Sequence, residues 1–338
     1  MFRYNADILP VTIVLLSFVA DVVVFLVAPW WVAVPWAVVN LLPKACICAW
    51  NHHHQHVATF KHKYANRALE VVYGLQTGAL PMAWELHHNA GHHVNYMDQT
   101  KDESRWKTLS GRAMGWLEYS TSVWATSYFR IWAKAKQSAA SKRQQFVLWA
   151  TITVLVVVLA MVWNPVNALA IFVMPMVVGL YVTAWHTYYH HAGLDTDDEL
   201  QAAWNILHTG YNVLTGNLGY HPAHHVRCTV RWSELPAFHA KIQDKIPAAL
   251  YRRPCFPFTV LGKAWHPDGH PRKVSEAMAA KWVGPAFVAL AREHLKGEVR
   301  HALLGGGGDV QLRDVDLGFE LRRYGCVVDG PGVAWVVE

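Results

Sequence analysis

The chain has 338 residues, of which 53% are hydrophobic and only 16% are charged, whereas an ordinary soluble domain carries about 25% charged residues. This composition excludes an ordinary soluble globular protein and indicates a protein embedded in a membrane. The formal net charge is +6, but no nucleic-acid-binding motif accompanies it, so it favours anionic lipid or an acidic protein partner over nucleic acid.

Four apolar segments are long enough, or nearly so, to cross a bilayer core that requires about 20 helical residues. In chain order they cover residues 8–29, 30–50, 146–163 and 166–185. Minimal turns near residue 29 and at 163–168 join them in pairs, which predicts two helical hairpins. The exceptions to their uncharged character are Asp21 in the first segment and Lys44 in the second, which also contains two prolines, Pro35 and Pro43.

The distribution of positive charge predicts the orientation of these spans. Of the 30 Lys and Arg residues, 12 lie between residues 51 and 145 and 16 lie after residue 186, whereas neither hairpin turn carries one. Because Lys and Arg are retained on the cytoplasmic side of short loops, the amino terminus, the middle segment and the carboxy-terminal third should face the cytoplasm. We therefore expect an integral membrane protein with both termini in the cytoplasm.

Two further segments, 71–84 and 115–132, are rich in aromatic or apolar residues but are short or interrupted by polar ones. Trp and Tyr favour the headgroup level of a bilayer, so both segments are compatible with helices on the cytoplasmic membrane surface. Buried helices of a cytoplasmic cap are an equally good interpretation.

The carboxy-terminal region differs in composition. Residues 1–272 are expected to form one membrane domain, and residues 273–338 a cytoplasmic extension of unknown role. The four glycines at 305–308 predict a flexible joint, and the alternating pattern after them predicts a small hairpin. The five cysteines contain no CxxC pair and are expected to be free thiols.

Histidines are the most conspicuous feature of the chain. Fourteen of the 21 fall into four clusters: "HHHQH" at 52–56, "HHNAGHH" at 87–93, "HTYYHH" at 186–191 and "HPAHH" at 221–225. Residues four apart stack on one face of a helix, and His52/His56, His88/His92 and His186/His190 have this spacing. Imidazole ligands suit Fe, Zn, Cu and Ni. There are enough histidines for two ions, and a redox pair that activates O2 is the natural use of such a set.

The clusters at 52–56, 87–93 and 221–225 resemble, in that order, the first, second and third histidine boxes, HxxxH, HxxxHH and HxxHH, of the membrane fatty acid desaturase superfamily. The segment "NLGYHPAHHVRCTVRWSELPAFHAKI" at 217–242 is the most similar, and the resemblance covers about residues 8–245. The segment "HHAGL" at 190–194 also resembles the related membrane alkane hydroxylases. The branch of the superfamily therefore stays open.

The resemblance implies an all-α membrane protein with about four transmembrane helices in two hairpins and a cytoplasmic helical cap that holds two non-haem iron ions. Position by position, it implies these metal ligands: His52, His56, His88, His92, His93, His221, His224 and His225. Ligands should also come from the fourth span, where His190 fits best and His186, four residues before it on the same helical face, is included with it. His191 is the alternative to His190. Possible alternative ligands or partners of ligands are His87, His53, Asn217, Glu85 and Asp98.

The implied activity is O2-dependent desaturation of a long acyl chain held by a membrane lipid or a carrier. Hydroxylation of an acyl or alkyl chain, acetylene formation and oxidative decarboxylation are alternatives, because the ligand set alone does not choose between them. A metal transporter is a distant alternative, since its site should lie near the bilayer midplane. The sequence shows no intrinsic flavin or haem site, so a separate donor such as ferredoxin, rubredoxin or cytochrome b5 should supply the electrons.

Overall fold

The computed structural model describes residues 1–247, 250–252 and 254–261, together with four short strands beyond them. Up to residue 261 the regular secondary structure of the described chain consists of helices, and loops with isolated bridges connect them. Beyond it, strands β1 (Lys273–Ser275) and β2 (Asp309–Gln311) pair antiparallel, as do β3 (Cys326–Val328) and β4 (Trp335–Val337). The second pair agrees with the small hairpin predicted for the tail, whereas the glycines at 305–308 lie outside the described residues.

Eleven α-helices are described: α1 Ile8–Val27, α2 Trp30–Val39, α3 Leu41–His56, α4 Lys63–Thr77, α5 Trp116–Gln137, α6 Ala140–Trp163, α7 Pro165–Ala168, α8 Met174–His191, α9 Thr209–Thr215, α10 His221–Val226 and α11 Leu235–His239. Two π-helical segments cover Glu85–His92 and Leu169–Val173. Short 3-10 turns cover Asn5–Asp7, His93–Asn95, Trp232–Glu234, Gln243–Lys245 and Phe258–Val260. The chain divides into two compact units: unit 1 contains Met1–Ser104 and Gly115–Thr187, and unit 2 contains Arg105–Met114 and Tyr188–Glu338.

The helices support three or four membrane spans. Three stretches are long and apolar enough to cross a bilayer: Asn5–Val27, Ala140–Trp163 and Pro165–His191. Helices α2 and α3 would supply a fourth if they act as one span, but they meet at an angle of 54°. Pro43 explains the bend, because it has no N–H for the carbonyl of Val39 and its ring clashes with that carbonyl. Sidedness and the pairing of the spans as hairpins stay predictions.

The two charges that interrupt the apolar segments of unit 1 neutralise each other. Lys44 Nζ lies 2.8 Å from Asp21 Oδ2, and each side chain is 1% exposed. Trp36 Nε1 donates a hydrogen bond to Asp21 Oδ1 at 3.0 Å, and Lys44 donates a second bond to the carbonyl of Ile171 at 3.3 Å. The pair therefore joins α1 to the bent pair and to the π-helical segment that precedes α8.

Small residues allow the helices of unit 1 to pack closely. Ala33 and Ala37 of α2 and Ala168 of α7 are fully buried, in a cluster with Phe25 and Phe172. Small side chains at helix interfaces let backbones approach, which is how apolar helices associate in lipid. Much of the outer surface of α1 and α6 is exposed and apolar, including Leu16, Val27, Leu159 and Val162. This surface fits contact with hydrocarbon.

The first half of segment 71–84 lies within α4, and segment 115–132 lies almost wholly within α5. Both are packed helices of unit 1. Leu75 of α4 and Val123 and Ile131 of α5 are buried. Trp116 and Phe129 of α5 are exposed, so a surface position in the membrane and a place in a cap both stay open. Cys46, Cys48, Cys228 and Cys255 are free thiols, as expected.

Unit 2 has its own small core in its described part. Leu194, Ile246 and Leu250 are buried together, with Trp204 and Tyr251 packed against them. The guanidinium of Arg252 lies 3.6 Å from the ring centroid of Tyr189 and 4.9 Å from that of Trp204. These cation–π contacts hold the end of α8 and the chain around Trp204 against the segment that contains Arg252.

Candidate metal centre

Four histidines of unit 1 converge in a group that we call the first cluster: His52, His56, His88 and His93. One ring nitrogen of each lies within 4.8 Å of those of the others. His88 Nε2 lies 2.8 Å from His52 Nε2 and 3.0 Å from His93 Nε2. Helix α3 contributes His52 and His56 from its last five residues, where positions four apart share a face, as the spacing predicts.

The other two residues of the first cluster, His88 and His93, are brought together by a π-helix. Glu85–His92 forms i→i+5 hydrogen bonds, and π-helical turns of this kind occur often at functional sites. In this geometry His88 faces His93, five residues on, with ring centroids 4.6 Å apart. The α-helical expectation that His88 pairs with His92 is therefore incomplete, because the wider turn also brings His93 into the group.

The donor set of the first cluster fits a metal ion. A ring nitrogen offers either one N–H or one lone pair, so Nε2 atoms that converge at about 3 Å suit a shared cation better than a set of mutual hydrogen bonds. Two nitrogens at the usual distance of about 2.1 Å from an ion, 90° apart, are about 3.0 Å from each other. The His52–His88 and His88–His93 separations match this value.

His88 is held in the neutral state that metal binding requires. Its ring is 4% exposed, and burial, followed by the charges that neighbouring imidazoles would carry, holds its pKa well below the usual value. A neutral imidazole has a lone pair, which is the form that ligates metal ions. The cluster can therefore offer nitrogen ligands at neutral and mildly acidic pH.

Asp102 was missed by sequence reasoning, which considered the nearer acidic residues Glu85 and Asp98. Both oxygens of the Asp102 carboxylate lie 2.8 Å from His92 Nδ1, deep in unit 1. A carboxylate that accepts Nδ1–H leaves Nε2 as the nitrogen with the lone pair, an arrangement typical of metal-ligating histidines. The chain can return this close because residue 91 is glycine, where a Cβ would lie 2.5 Å from Glu103 Cγ.

Unit 2 contains a second cluster, formed by His191, His221 and His225. His191 Nε2 lies 3.0 Å from His221 Nε2, which lies 3.2 Å from His225 Nε2. All three rings are buried. These separations have the same range as those in the first cluster, so the second cluster also fits an ion bound by imidazole nitrogens.

The second cluster contains His191 rather than His190. His191 Nδ1 lies 3.1 Å from the carbonyl of Ala202 and donates to it, which directs Nε2 to the cluster. The ring of His190 stacks on that of His221 with centroids 4.0 Å apart, and its Nε2 lies 3.2 Å from the hydroxyl of Tyr211. The geometry therefore gives His190 the position of a partner of a ligand, while its assignment as a ligand stays a prediction.

The loop before the third box is held by backbone contacts. Gly219 donates its N–H to Asn212 Oδ1 at 3.0 Å and accepts the N–H of Ile206 at 2.8 Å. A Cβ at residue 219 would lie 2.0 Å from the carbonyl oxygen of Ile206. Glycine is therefore required two residues before His221, which explains the "LGYH" part of the motif.

His92 and His224 are fully buried beside the two clusters. The ring centroid of His92 lies 5.1 Å from that of His88, and that of His224 lies 5.4 Å from that of His225. The ring of His186 lies 5.8 Å from that of Trp185.

Asn217 adopts a left-handed conformation with φ of 63°, its side chain donates to the carbonyl of Trp232 at 3.0 Å, and its backbone N–H donates to the carbonyl of Asn212 at 2.7 Å, at the end of α9. Its role as a partner of a ligand stays a prediction.

The two predicted acidic residues in unit 1 have partners other than the histidines of the first cluster. Glu85 forms ion pairs with Arg67 and Lys142. The Asp98 carboxylate accepts the backbone N–H of Thr100. Hydrogen bonds from the Thr100 side chain and backbone lower the pKa of the Asp98 carboxyl to about 2. His53 is buried next to His52, with ring centroids 5.3 Å apart.

An apolar cavity of unit 1 adjoins the first cluster. It is lined by His87, His88, Trp84 and mostly apolar side chains that include Ala83, Leu180 and Ala184. The hydroxyls of Ser127 and Thr187 on its wall donate to carbonyls of their own helices, at 3.0 Å each. The ring of Trp84 lies 5.1 Å from that of His88 and 5.4 Å from that of His52, so it contacts both cavity and cluster.

The sequence model of the family described as fatty acid desaturase matches residues 8–257 of this chain. The match covers more than half of the chain and includes all four histidine clusters. Searches of curated proteins and of solved structures found no match.

Proposed function

Because the chain belongs to the fatty acid desaturase family, whose members carry out desaturase- and hydroxylase-type oxidations, we propose that it introduces a double bond into a long acyl chain with O2. The observation that carries the proposal is the first cluster of buried and half-buried imidazoles beside an apolar cavity. In balanced form, a –CH2–CH2– unit, O2, two electrons and two protons give –CH=CH– and two molecules of water.

Each cluster is proposed to hold one of two iron ions. His52, His56, His88 and His93 would hold one, and His191, His221 and His225 the other, while His92 and His224 complete the ligand set on the spacing argument. Iron bound in this way supplies the reaction of O2 with an unactivated C–H bond. The chain contributes neutral ligands and, through Asp102 and the Ala202 carbonyl, the choice of ring nitrogen.

The cavity is proposed to bind a methylene segment of the substrate. Its wall is mostly apolar, and the hydroxyls of Ser127 and Thr187 are engaged with their own helices, so the burial of an apolar chain there is favourable. A saturated chain fits this environment, and its headgroup or carrier would stay outside. The same cavity would also suit a hydroxylase, in which one oxygen atom is retained in the product.

The electrons are proposed to come from a separate protein, such as ferredoxin, rubredoxin or cytochrome b5, because the sequence has no flavin, nicotinamide or iron–sulfur motif. The excess of Lys and Arg outside the apolar segments would favour an acidic donor through electrostatic steering. The metal site and both termini are proposed to face the cytoplasm, where such donors and their reductases occur.

Metal analysis combined with lipid analysis tests this function. Protein purified from iron-replete cells should contain two iron ions per chain, and cells that express it should accumulate a lipid lighter by two hydrogens. A product heavier by one oxygen would establish the hydroxylase alternative. Purified protein that contains zinc alone would overturn the proposal. His88→Ala should abolish activity, whereas His62→Ala, at an exposed position, should retain it.

A further inference from the structure

His54 lies between two residues of the first cluster but does not point toward them. Residues two apart on a helix project to nearly opposite sides, so His54 faces away from the side shared by His52 and His56. Its ring is 5% exposed. Nδ1 lies 2.8 Å from Thr59 Oγ1, and Nε2 lies 3.4 Å from Glu70 Oε1 on α4. His54 therefore attaches the ligand-bearing helix α3 to the carboxylate of Glu70.

Glu70 is a buried carboxylate with several partners. Its side chain is 4% exposed, and both oxygens lie 2.7 Å from Arg67 Nη1. Burial alone would raise the pKa of Glu70, but the hydrogen bond and charge of His54 and the charge of Arg67 outweigh that effect, so the pKa lies below its usual value. Glu70 is thus a fixed anion at the contact between α3 and α4.

The same carboxylate holds the chain that leads into the second box. Glu70 Oε2 accepts the backbone N–H of Met82 at 3.0 Å. Met82 has a positive φ of 63°, a left-handed conformation that is strained for a non-glycine residue. This residue lies three positions before Glu85, where the π-helix that carries His88 begins. The bond to Glu70 therefore stabilises the turn that sets the direction of this helix.

A chain of ion pairs extends the connection to the start of the π-helix itself. Arg67 Nη2 lies 3.5 Å from Glu85 Oε2, and Lys142 Nζ lies 2.7 Å from Glu85 Oε1. Arg67 thus joins Glu70 to the first residue of the segment that carries the second box.

We propose that Glu70 is a positioning residue that fixes the first histidine box relative to the second, and so sets the arrangement of the four imidazoles in the first cluster. This inference rests on the proposed function, because it concerns the same metal site. It assigns a role to His54, which lies within the first box but outside its HxxxH spacing. Loss of the carboxylate should leave ligand identity unchanged and alter ligand geometry.

Cobalt(II) titration of the purified, metal-depleted full chain tests the inference. Cobalt(II) absorption reports ligand number and geometry in the folded fraction. Glu70→Ala removes all the contacts, whereas Glu70→Gln keeps the volume and an oxygen that can accept the Met82 N–H. Glu234→Gln is the matched control, because Glu234 is 53% exposed and pairs with Arg231 in unit 2. Size-exclusion chromatography selects folded protein before each titration.

Glu70→Ala should weaken the cobalt(II) affinity by about tenfold, the lower end of the effect of removing an outer partner of a metal site, and should change the absorption spectrum. Glu70→Gln should restore part of the affinity, and Glu234→Gln should match the wild type. A role in folding alone would lower the yield but leave the affinity and spectrum of folded protein unchanged, and that result would overturn the inference. If Glu70→Ala cannot be recovered as folded protein, the cobalt(II) affinity and absorption spectrum of folded Glu70→Gln test the inference in the same way. Failure of the wild type to bind cobalt(II) or iron would instead overturn the proposed function.

Discussion

Both oxygens of the Asp102 carboxylate lie 2.8 Å from Nδ1 of His92 in the interior of unit 1, although the two residues are ten positions apart. The contact selects the tautomer in which Nδ1 carries the proton and Nε2 the lone pair. It also places a negative charge next to a group of neutral imidazoles, where it would offset part of the charge of a bound cation. Asp102 therefore belongs to the candidate site as much as the histidines do.

Replacing Asp102 with Asn should lower the metal affinity of the site by about 10- to 100-fold, as for other partners of ligating histidines. Asn retains an oxygen acceptor but not the charge, so folded protein should still be recovered. Competition with a chelator measures the affinity. Asp98→Asn is the control, because Asp98 lies nearby in sequence but is 36% exposed and bonds to Thr100; equal affinities for the two variants would contradict the prediction.

His191→Ala should reduce the iron content of the purified protein from two ions per chain toward one, because His191 Nε2 lies in the second cluster. His190→Gln should retain both ions and lose part of the activity, because His190 stacks on His221 and contacts Tyr211. Iron quantification with protein of equal purity distinguishes the two. The opposite pattern would make His190 the ligand.

Ala83→Leu should lower the yield of product while the iron content stays unchanged. Ala83 is 4% exposed and lies on the cavity wall, so a larger side chain at this position would occupy space otherwise available to the substrate chain. Overpacking costs about 1–3 kcal/mol of stability, and thermal unfolding must be measured alongside. Ala68→Leu, on the exposed face of α4, should leave product yield unaltered; an equal loss in both variants would exclude the cavity as the substrate site.

Lys44→Met should lower the free energy of unfolding by about 3–5 kcal/mol, because it leaves the Asp21 carboxylate buried without its cation. The double variant Asp21→Leu/Lys44→Met removes both charges and should recover most of that loss. Unfolding in detergent, followed by circular dichroism, measures the difference. Additive effects of the single changes, with no recovery in the double variant, would show that the two side chains are not coupled.

The metal-free protein should lose stability as the pH falls from 6.5 toward 3, in part through His87. Burial, followed by the charge of Arg130, lowers the pKa of His87 to about 3. Below pH 6.5 the unfolded chain therefore binds a proton that the folded protein does not, which favours unfolding by up to about 1.4 kcal/mol per pH unit for this group. His87→Gln should make the pH dependence of the melting temperature shallower, and an unchanged slope would count against this assignment.

Local patterns in the sequence predicted much of this molecule. A membrane-spanning helix needs a run of apolar residues, and paired ligands on a helix need a fixed spacing, so the spans and the histidine boxes can be read from neighbouring positions. The family match over residues 8–257 confirms the resemblance inferred from those boxes. The bend between α2 and α3 at Asn40 could also have been predicted from sequence, because Pro43 cannot donate the helical hydrogen bond to the carbonyl four residues before it.

Contacts between distant positions were decided by tertiary structure. Nothing local pairs Asp21 with Lys44, Asp102 with His92, or Glu70 with both His54 and Met82, since each partner is chosen by the way the helices pack. The π-helix that turns His93 toward His88 is a small change in helical winding that residue spacing does not reveal. Sequence thus determined which side chains could bind metal, and packing decided which nitrogens meet, because a ligand group depends on distances of about 3 Å between side chains from separate helices.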